Sequence, residues 1–319
     1  MNRTYFKATV REITQSMGKF ISIVLIILLG SLLYVGIRGV GPDLNQSANH
    51  YFQQQKLSDV KVSSTMGLTN SDLTSIKQNK NVKHAVASHM VTLQKSRNQV
   101  VSVYNYQKQT KLDKLKLVSG KLPVKNNQIV LDNKAKENGY QLGDTYRLPK
   151  NTNLNRRSFK IVGFVNSPQF VSSTDRGTTN LGSGTVDYFA YVPNTAFSQK
   201  EYASIAVQFK NANHYAAGTD AYNNQVDRQK ADLKSDLSGR PRARQKQLQN
   251  KAQKKLDQQT TKIEKQEKEL AKVPSGYQTA KTKAAKQELA AGKKKITASE
   301  VQIKQIAKPT YLYNDRTMN

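Results

Sequence analysis

The 319-residue sequence contains no cysteine, and its 22 acidic residues are outnumbered by 51 Lys and Arg. Without cysteine, disulfides, thiol redox catalysis and cysteine-based metal sites are excluded, so stability must come from an ordinary packed core. The few carboxylates include no pair that resembles an acid–base couple. The four histidines are scattered along the chain, and we expect surface or incidental residues rather than metal ligands: His50, His84, His89 and His214.

Sequence signatures of catalysis are missing as well. The chain has no G-x-x-x-x-G-K-[ST] for nucleotide hydrolysis and no G-x-S-x-G or S-x-x-K nucleophile in a strand–helix context. A glycine cluster at Gly36–Gly41 lacks the preceding strand that a dinucleotide site requires, and we interpret it as the end of an apolar helix. We therefore predict a protein that is not an enzyme, with no catalytic, cofactor-binding or metal-binding residues.

The longest apolar run is Phe20–Ile37, which has no charge and thirteen Leu, Ile, Val or Phe among eighteen residues. As a helix it would be roughly 27 Å long, close to the ~30 Å hydrocarbon core of a bilayer. A buried core helix is the alternative, but a soluble helix of this length normally keeps one polar face. Nineteen residues precede the run and no Ala-x-Ala site follows it, which favours a retained anchor over a removable signal.

Basic residues are unequally distributed around this run. Arg3, Lys7, Arg11 and Lys19 precede it, whereas Arg38 is the one basic residue among the next eighteen. By the positive-inside rule the N-terminus is predicted to be cytoplasmic, with the chain beyond about residue 39 outside the cell membrane.

The segment before the run has the pattern of an amphipathic helix. Phe6, Val10, Ile13 and Met17 are spaced four, three and four apart, which places them on one helical face. We predict a basic helix lying along the inner leaflet, so membrane lipid is an expected partner. A plain cytoplasmic extension of the membrane helix is the alternative.

The net charge of +29 and pI near 10 raise the question of nucleic-acid binding. The charge is predicted to lie outside the membrane and no nucleic-acid motif is present, so no nucleic-acid partner is expected. An external basic domain would instead meet anionic lipid headgroups or an anionic cell wall.

Residues 59–212 have the pattern of a mixed α and β domain. A helix is predicted after the capping sequence Thr69–Asp72, and a short helix at Asn133–Glu137 is expected to stop at Gly139. A Gly/Ser/Thr-rich loop occupies 172–184. Strands are predicted from Val60 and at Val100–Tyr106, Asn127–Leu131, Phe159–Val165, Val186–Val192 and Ser204–Phe209.

The last third of the chain is rich in Lys and Gln and carries two seven-residue apolar repeats, which predict an antiparallel coiled-coil hairpin that turns near 274–276. Residues 240–308 have a net charge of +13. A disordered basic linker and a single long helix are the alternatives. The first repeat is Leu256, Ile263 and Leu270, and the residues three positions later are Gln259, Gln266 and Val273, respectively. The second repeat is Leu289, Ile296 and Ile303, and the residues three positions later are Gly292, Ser299 and Ile306.

Strand-like residues from Pro309 to Tyr313 would return the chain from this hairpin to the globular domain. The predicted fold is thus an α+β extracytoplasmic domain with an inserted antiparallel coiled-coil hairpin, anchored by one N-terminal transmembrane helix. Its parts are a cytoplasmic amphipathic helix (1–19), a transmembrane helix (20–38), an extracellular stalk (39–58), an α+β core (59–212), a helical hairpin insertion (213–308) and a return strand (309–319).

Several short motifs occur in an order that resembles the MacB-like extracytoplasmic core domain. They are Val118–Pro123, Asn127–Leu131, Gly139–Thr145 and Phe159–Gly163, with Gln128 where that family has Glu. Arg176-Gly177 and Asp187–Val192 resemble the corresponding stretch of large FtsX-type permeases of Gram-positive bacteria, which also carry a basic coiled-coil insertion and a Tyr-rich return strand.

This resemblance implies the membrane subunit of an ABC transporter, acting in export or envelope processes with a separate ATPase subunit. It also implies a homodimer or pseudo-dimer, and a cell-wall polymer or extracellular protein as the expected partner at the hairpin tip. Members of the family continue into further membrane helices, so the chain is expected to be their N-terminal portion. The alternative function is a single-pass, membrane-anchored binding protein whose basic coiled coil contacts anionic cell wall or lipid.

Overall fold

The computed structural model describes residues 3–316 except 16, 152, 171, 173 and 273–279. The chain forms two compact units, Met1–Gln54 and Gln55–Asn319. Its elements are the helices α1 (Arg3–Gln15), α2 (Met17–Gln55), α3 (Asn70–Gln78), α4 (Asp220–Asp236), α5 (Arg240–Ala271) and α6 (Ala280–Lys304). The strands are β1 (Val60–Leu68), β2 (Val82–Ser88), β3 (Met90–Ser96), β4 (Gln99–Tyr106), β5 (Lys116–Gly120), β6 (Gln128–Asp132), β7 (Thr145–Arg147), β8 (Ser158–Asn166), β9 (Tyr188–Pro193), β10 (Tyr202–Phe209) and β11 (Tyr311–Asp315).

The first unit consists of α1 and most of α2. Within the described residues, Met17–Arg38 of α2 is the one helical segment long and apolar enough to cross a membrane, and none of it is buried in the chain. The helix then continues to Gln55, through the glycine cluster at which the sequence analysis ends it. Glycine costs about 1 kcal/mol relative to alanine in a helix, which weakens a helix without forbidding it.

The second unit contains two β-sheets. The first sheet has the order β11-β1-β10-β2 and is antiparallel throughout. Helices α3 and α4 cover one of its faces, because Ile76 of α3 and three residues of α4 join the strand residues in one buried apolar cluster. These α4 residues are Tyr222, Val226 and Leu233, and Gln229 of the same helix is also buried.

The position of α4 differs from the predicted organisation. The hairpin insertion is predicted to begin at residue 213, but α4 is part of the core of the first sheet. Its apolar residues have a helical spacing that fits either a sheet-covering helix or a hairpin, and only the packed neighbours distinguish them.

The second sheet is mixed, with the order β3-β4-β9-β6-β8-β5, and β7 pairs with β8. Strands β4 and β9 are parallel, as are β6 and β8. Apolar residues of the strands alternate between two buried clusters, one on each face. Ile161 and Phe164 of β8 belong to one cluster, while Val162 and Val165 belong to the other. The irregular step within β8 coincides with a shift in its pairing with β6.

Local chemistry explains several boundaries. Thr69 and Asp72 form a reciprocal capping box at the start of α3. The short helix predicted at Asn133–Glu137 is a 3₁₀ helix, Asn133–Asn138, and Gly139 ends it with φ of 81°, a conformation that glycine adopts without a Cβ penalty. The mixed α/β character of the domain is as predicted, while β2, β3, β5 and β7 are additional strands.

Candidate functional site where the first and last strands meet

Strands β1 and β11 are neighbours in the first sheet, so the segment that begins the second unit lies beside the segment that follows α6. They pair antiparallel, with Val60 opposite Asp315. Asp59 immediately precedes this pair and Arg316 immediately follows it. Two residues that are 257 positions apart in sequence are thereby brought into direct contact.

Asp59, Tyr222 and Arg316 form a polar cluster, here called the junction. The Arg316 Nη2 donates to Asp59 Oδ1 at 2.7 Å, and the Tyr222 hydroxyl donates to the same oxygen at 2.8 Å. Asp59 Oδ2 accepts from the backbone N–H of Phe209 at 2.8 Å. The Arg316 Nε also donates to the Tyr222 hydroxyl. The junction therefore joins β1, β10, α4 and the residue after β11.

The junction is buried, and burial has electrostatic consequences. The Asp59 side chain is fully buried, while the Arg316 side chain is 17% exposed. Burial raises the pKa of Asp59, and this effect exceeds the opposing influence of Arg316 and the hydrogen bonds. Burial likewise raises the pKa of Tyr222, with the Asp59 charge acting in the same direction. A buried pair of this kind is costly to break, because either partner alone leaves an uncompensated buried charge.

A second polar cluster, here called the root, attaches α5 to the first sheet. Arg240 Nε donates to Asp72 Oδ1 at 2.7 Å, and the Tyr311 hydroxyl donates to the same oxygen at 2.8 Å. Thr69 donates to Asp72 Oδ2 through its backbone N–H and its hydroxyl. Burial alone would raise the pKa of Asp72, but hydrogen bonds from Thr69 and Arg240 outweigh it and hold the pKa below its usual value.

Arg244 extends the root by one helical turn. Its Nη2 lies 3.3 Å from the Met66 carbonyl oxygen and 3.3 Å from Glu201 Oε1. The Gln245 amide donates to the carbonyl oxygen of Ile306 at 2.6 Å and so links the beginning of α5 to the end of α6. The root thus connects both helices to strands β1, β10 and β11 or their flanking residues.

Helices α5 and α6 lie against each other in opposite directions. Gln245 contacts Ile306, and Lys293 Nζ lies 2.7 Å from Glu267 Oε1, so increasing numbers on one helix match decreasing numbers on the other. A Cβ built on Gly292 would lie 2.8 Å from Ile263 Cδ1, which shows how closely the backbone of α6 approaches α5. The predicted turn near 274–276 lies outside the described residues.

Side-chain burial along α6 follows the predicted repeat, but burial along α5 does not follow it completely. Gly292, Ser299 and Ile306 are half-buried as expected. On α5, Gln259 and Gln266 are exposed, and half-buried Thr260 takes the position between Leu256 and Ile263. In a seven-residue repeat, the second interface position lies either three or four residues after the first. The Leu and Ile positions alone do not determine which of the two it is.

A small cleft lies between the two sheets of the second unit. It has a volume of about 60 Å³ and is lined by Lys61 of β1, Tyr104 and Tyr106 of β4, and the loop residues Asp113 and Gln169. Lys61 Nζ donates to Gln169 Oε1 at 2.7 Å, and Gln169 Nε2 donates to Asp113 Oδ2 at 2.8 Å. Burial lowers the pKa of Lys61, opposed by the charge of Asp113. This chain of hydrogen bonds connects β1 of the first sheet to the loops that follow β8 and β4 of the second.

His89 is the residue that joins β2 of the first sheet to β3 of the second. It is 7% exposed, and its ring lies between those of Phe197 and Tyr202, with centroid distances of 5.5 and 4.9 Å. Its Nδ1 lies 2.9 Å from the carbonyl oxygen of Glu201. Of the two expected alternatives, surface or incidental, His89 is therefore not a surface residue. Neither its sequence neighbours nor its spacing reveals that it links two sheets.

The sequence predicts no site residues, and local patterns indicate neither the junction nor the root. The capping pattern predicts one role for Asp72, and its contact with Arg240 adds a second. Asp59 directly precedes the first predicted strand and Arg316 lies within the predicted return segment 309–319, which is the signal that the sequence contains. The junction and the root connect segments that are distant in sequence through buried hydrogen bonds and ion pairs.

Comparison with known proteins identifies the family. A family model described as the MacB-like periplasmic core domain matches residues 20–224. A search of curated proteins finds no match. A solved structure of the extracellular domain of the noncanonic ABC-type transporter YknZ from Gram-positive bacteria is similar at 13% identity and a TM-score of 0.34, covering 52% of this chain and 87% of that one. A domain assigned to a permease protein of Porphyromonas gingivalis matches at 12% identity and a TM-score of 0.30, covering 49% and 73%.

The family match begins within the apolar helix, ends in α4 and spans well over half of the sequence. It confirms the resemblance that the ordered motifs from Val118 to Gly163 indicate. The chain belongs to the family of the MacB-like periplasmic core domain.

Proposed function

We propose that this chain is the membrane subunit of an FtsX/MacB-type ABC transporter that acts in export or envelope processes. A separate subunit would hydrolyse ATP in the cytoplasm, and the resulting displacement would pass through α2 to the two-sheet domain outside. This chain would supply no catalytic group. The observation that carries the proposal is the family match, which covers the apolar helix and strands β1 to β10 together.

The junction supports a mechanical role for the second unit. Because Val60 lies opposite Asp315, the chain enters and leaves this domain on adjacent strands. Asp59 and Arg316 tie those strands to each other and to Tyr222 of α4. Separating a buried, hydrogen-bonded ion pair is costly, so we expect a displacement at β1 to be shared with β11 and α4.

We further propose that α5 and α6, residues 240–308, form an antiparallel coiled-coil arm inserted into the domain. The chain lacks cysteine, so this can be tested by one engineered pair. Ile263→Cys with Gly292→Cys should form a disulfide on mild oxidation, because these positions are in contact. The control, Ile263→Cys with Ser299→Cys, displaces one partner by roughly 10 Å at 1.5 Å per residue and should not cross-link. Equal cross-linking of both pairs would contradict the register.

The transporter proposal also requires an orientation and an assembly. The N-terminus with α1 would be cytoplasmic, as the four basic residues before the apolar run favour, and the second unit would be outside. A homodimer or pseudo-dimer would place two such domains side by side.

Association with an ATPase tests the proposal. The tagged chain, purified from its native membrane in mild detergent, should retain a P-loop protein, and that protein's ATP hydrolysis should change when the chain is added back. A matched preparation with Phe20–Ile37 fused to an unrelated soluble domain controls for non-specific association of an apolar helix. If both preparations retain the same proteins, or neither retains a P-loop protein, the transporter function is rejected in favour of an anchored binding protein.

A further inference from the structure

The exposed surface of the arm is strongly basic, and its charges are of one chemical kind. Residues 240–308 contain nineteen Lys and Arg against six Asp and Glu. The three arginines all lie in the first five residues, and Arg240 and Arg244 are engaged by Asp72 and Glu201 at the root. Beyond the root, every basic residue of the arm is a lysine.

Most of these lysines have no acidic partner. Among arm residues whose side chains the structure describes, Lys272 and Lys293 are the two lysines with a carboxylate within 4 Å. The other described lysines of the arm have no ion pair, for example the exposed Lys254, Lys255 and Lys262. Surface charges of one sign that are not neutralised within the chain attract a partner of the opposite sign.

The lysines point away from the interface between the two helices. At 100° per residue, Lys254 and Lys265 lie on the side of α5 opposite Leu256, and Lys255 and Lys262 lie about 100–120° away from it. Lys283 and Lys294 lie on the outer side of α6 in the same way. Since α5 and α6 face each other, the two basic surfaces point in opposite directions, and a flat membrane surface could contact only one of them.

The arm also lacks the apolar surface that a membrane-bound helix buries. Its described residues include one exposed large hydrophobic residue, Val301, because the remaining Leu and Ile side chains are in the helix interface. Nucleic acid is equally disfavoured, since residues 240–308 contain a single aromatic residue, Tyr277, and base stacking needs several. A lysine ammonium is a compact point charge without the planar fork of arginine, which suits recognition of charge rather than of a rigid shape.

We propose that the outer lysine faces of α5 and α6 bind a flexible anionic polymer with phosphodiester or similar groups at regular intervals. The polymer would wrap around the arm and contact both faces. The root holds both helices to the first sheet, so polymer engaged by the arm is connected mechanically to the domain. This names the partner of the arm within the proposed transporter and rests on the second unit being outside the cell, whereas the binding itself requires no ATPase.

The test uses the full chain in nanodiscs of neutral phosphatidylcholine and fluorescent long-chain inorganic polyphosphate as the probe. The arm variant carries Lys254→Gln, Lys255→Gln, Lys262→Gln and Lys265→Gln. The matched control removes four exposed lysines from the two-sheet domain, by Lys77→Gln, Lys80→Gln, Lys83→Gln and Lys108→Gln. Circular dichroism verifies that both variants keep the helical content of the parent.

The parent should bind polyphosphate with an affinity that falls steeply with salt, and the arm variant should bind about tenfold more weakly or worse. The control should lose less than about threefold, and its salt dependence should stay close to that of the parent. If both variants lose the same affinity for polyphosphate, overall charge explains the binding and the proposal is wrong. The proposal is also wrong if the parent does not bind polyphosphate, or if it binds phosphatidylglycerol vesicles more strongly than polyphosphate. Because ATPase association is measured separately, either proposal can fail without the other.

Discussion

Asp59 is an isolated acidic residue in the sequence, yet its carboxylate receives hydrogen bonds from three directions. Phe209, Tyr222 and Arg316 all donate to it, and its side chain is fully buried. Removing it leaves the Arg316 guanidinium and the Tyr222 hydroxyl without their acceptor in a region that water reaches poorly. Unsatisfied buried groups cost more than the bond itself contributes.

We therefore expect Asp59→Ala to lower the free energy of unfolding by about 3 kcal/mol or more. Asp59→Asn should be milder, because its amide oxygen still accepts from Tyr222. Thermal unfolding followed by circular dichroism provides the measurement. Asp227→Ala is the control, since Asp227 pairs with Lys230 but is 57% exposed, and its loss should cost less than about 1 kcal/mol. Similar losses for both alanine variants would contradict a special role for the junction.

His89 introduces a pH dependence at the point where the chain passes from one sheet to the other. Burial lowers its pKa, and the contacts with Glu201, which favour the charged form, do not compensate. The folded state therefore binds this proton less readily than the unfolded state. The contribution to stability is complete above the ordinary pKa of about 6.5 and is lost as the pH falls below it, by at most about 1.4 kcal/mol per pH unit.

The thermal midpoint of the parent should accordingly fall from neutral pH to mildly acidic pH more than that of His89→Gln, which has no titrating ring. His214→Gln replaces an exposed histidine and should retain the dependence of the parent. The informative quantity is the difference between variants, because the raised pKa of Asp59 adds a pH dependence common to all three. A His89→Gln profile parallel to that of the parent would show that this ring does not sense pH.

At the scale of elements, strands β5 and β8 approach so closely that only glycine fits at two positions. Gly120 lies opposite Gly163. A Cβ on Gly163 would lie 2.5 Å from the Lys121 carbonyl oxygen, and one on Gly120 would lie 2.3 Å from that of Val162. Gly120 also has a φ of 79°, which side chains rarely adopt. Both glycines belong to the ordered motifs that resemble the family.

Gly163→Ala should destabilise the protein by about 1–3 kcal/mol, because the clash is with backbone atoms that cannot rotate away. Gly239→Ala serves as the control, since a Cβ there meets nothing within 4 Å. Chemical denaturation of the two variants compares them directly. If the denaturation midpoint of Gly163→Ala equals that of the control, the close approach of β5 and β8 is not required for stability.

An element can be predicted from sequence when its own residues show the apolar pattern of its buried face, and cannot when only long-range contacts determine its position. Strand β8 could be predicted because apolar residues dominate it from Phe159 to Val165. Strand β2, Val82–Ser88, was missed because Lys83 and His84 dilute its apolar pattern, although β10 pairs along nearly its full length. Periodicity predicted a helix at α4, but only the contacts with the first sheet assign that helix to the domain core.

The junction and the root could not be predicted because their residues are far apart in sequence. The capping pair Thr69 and Asp72 is local and predictable, whereas Asp72 and Arg240 are 168 residues apart. Asp59 and Arg316 of the junction are 257 residues apart. A single sequence contains no signal that couples two such distant charged residues, and their contact depends on the order β11-β1-β10-β2, which local patterns do not determine.

At the scale of the whole molecule, the proposed mechanism depends on which parts of the chain lie on each side of a membrane. The absence of native cysteine allows this to be tested without background labelling. Thr4 on α1 and Ser183 in the loop between β8 and β9 both have exposed side chains, so a cysteine at either position should react once reagent reaches it. Thr4→Cys and Ser183→Cys therefore form a matched pair of reporters.

With a membrane-impermeant maleimide added to intact cells, Ser183→Cys should be labelled and Thr4→Cys should react only after permeabilisation. The physical reason is the four basic residues before the apolar run against one in the eighteen that follow, a distribution that favours a cytoplasmic N-terminus. The reverse pattern would place the basic arm in the cytoplasm, where an external anionic polymer could not reach it and ATP-driven movement could not be conveyed outward. Labelling of both positions in intact cells would mean that α2 does not hold the two units on opposite sides.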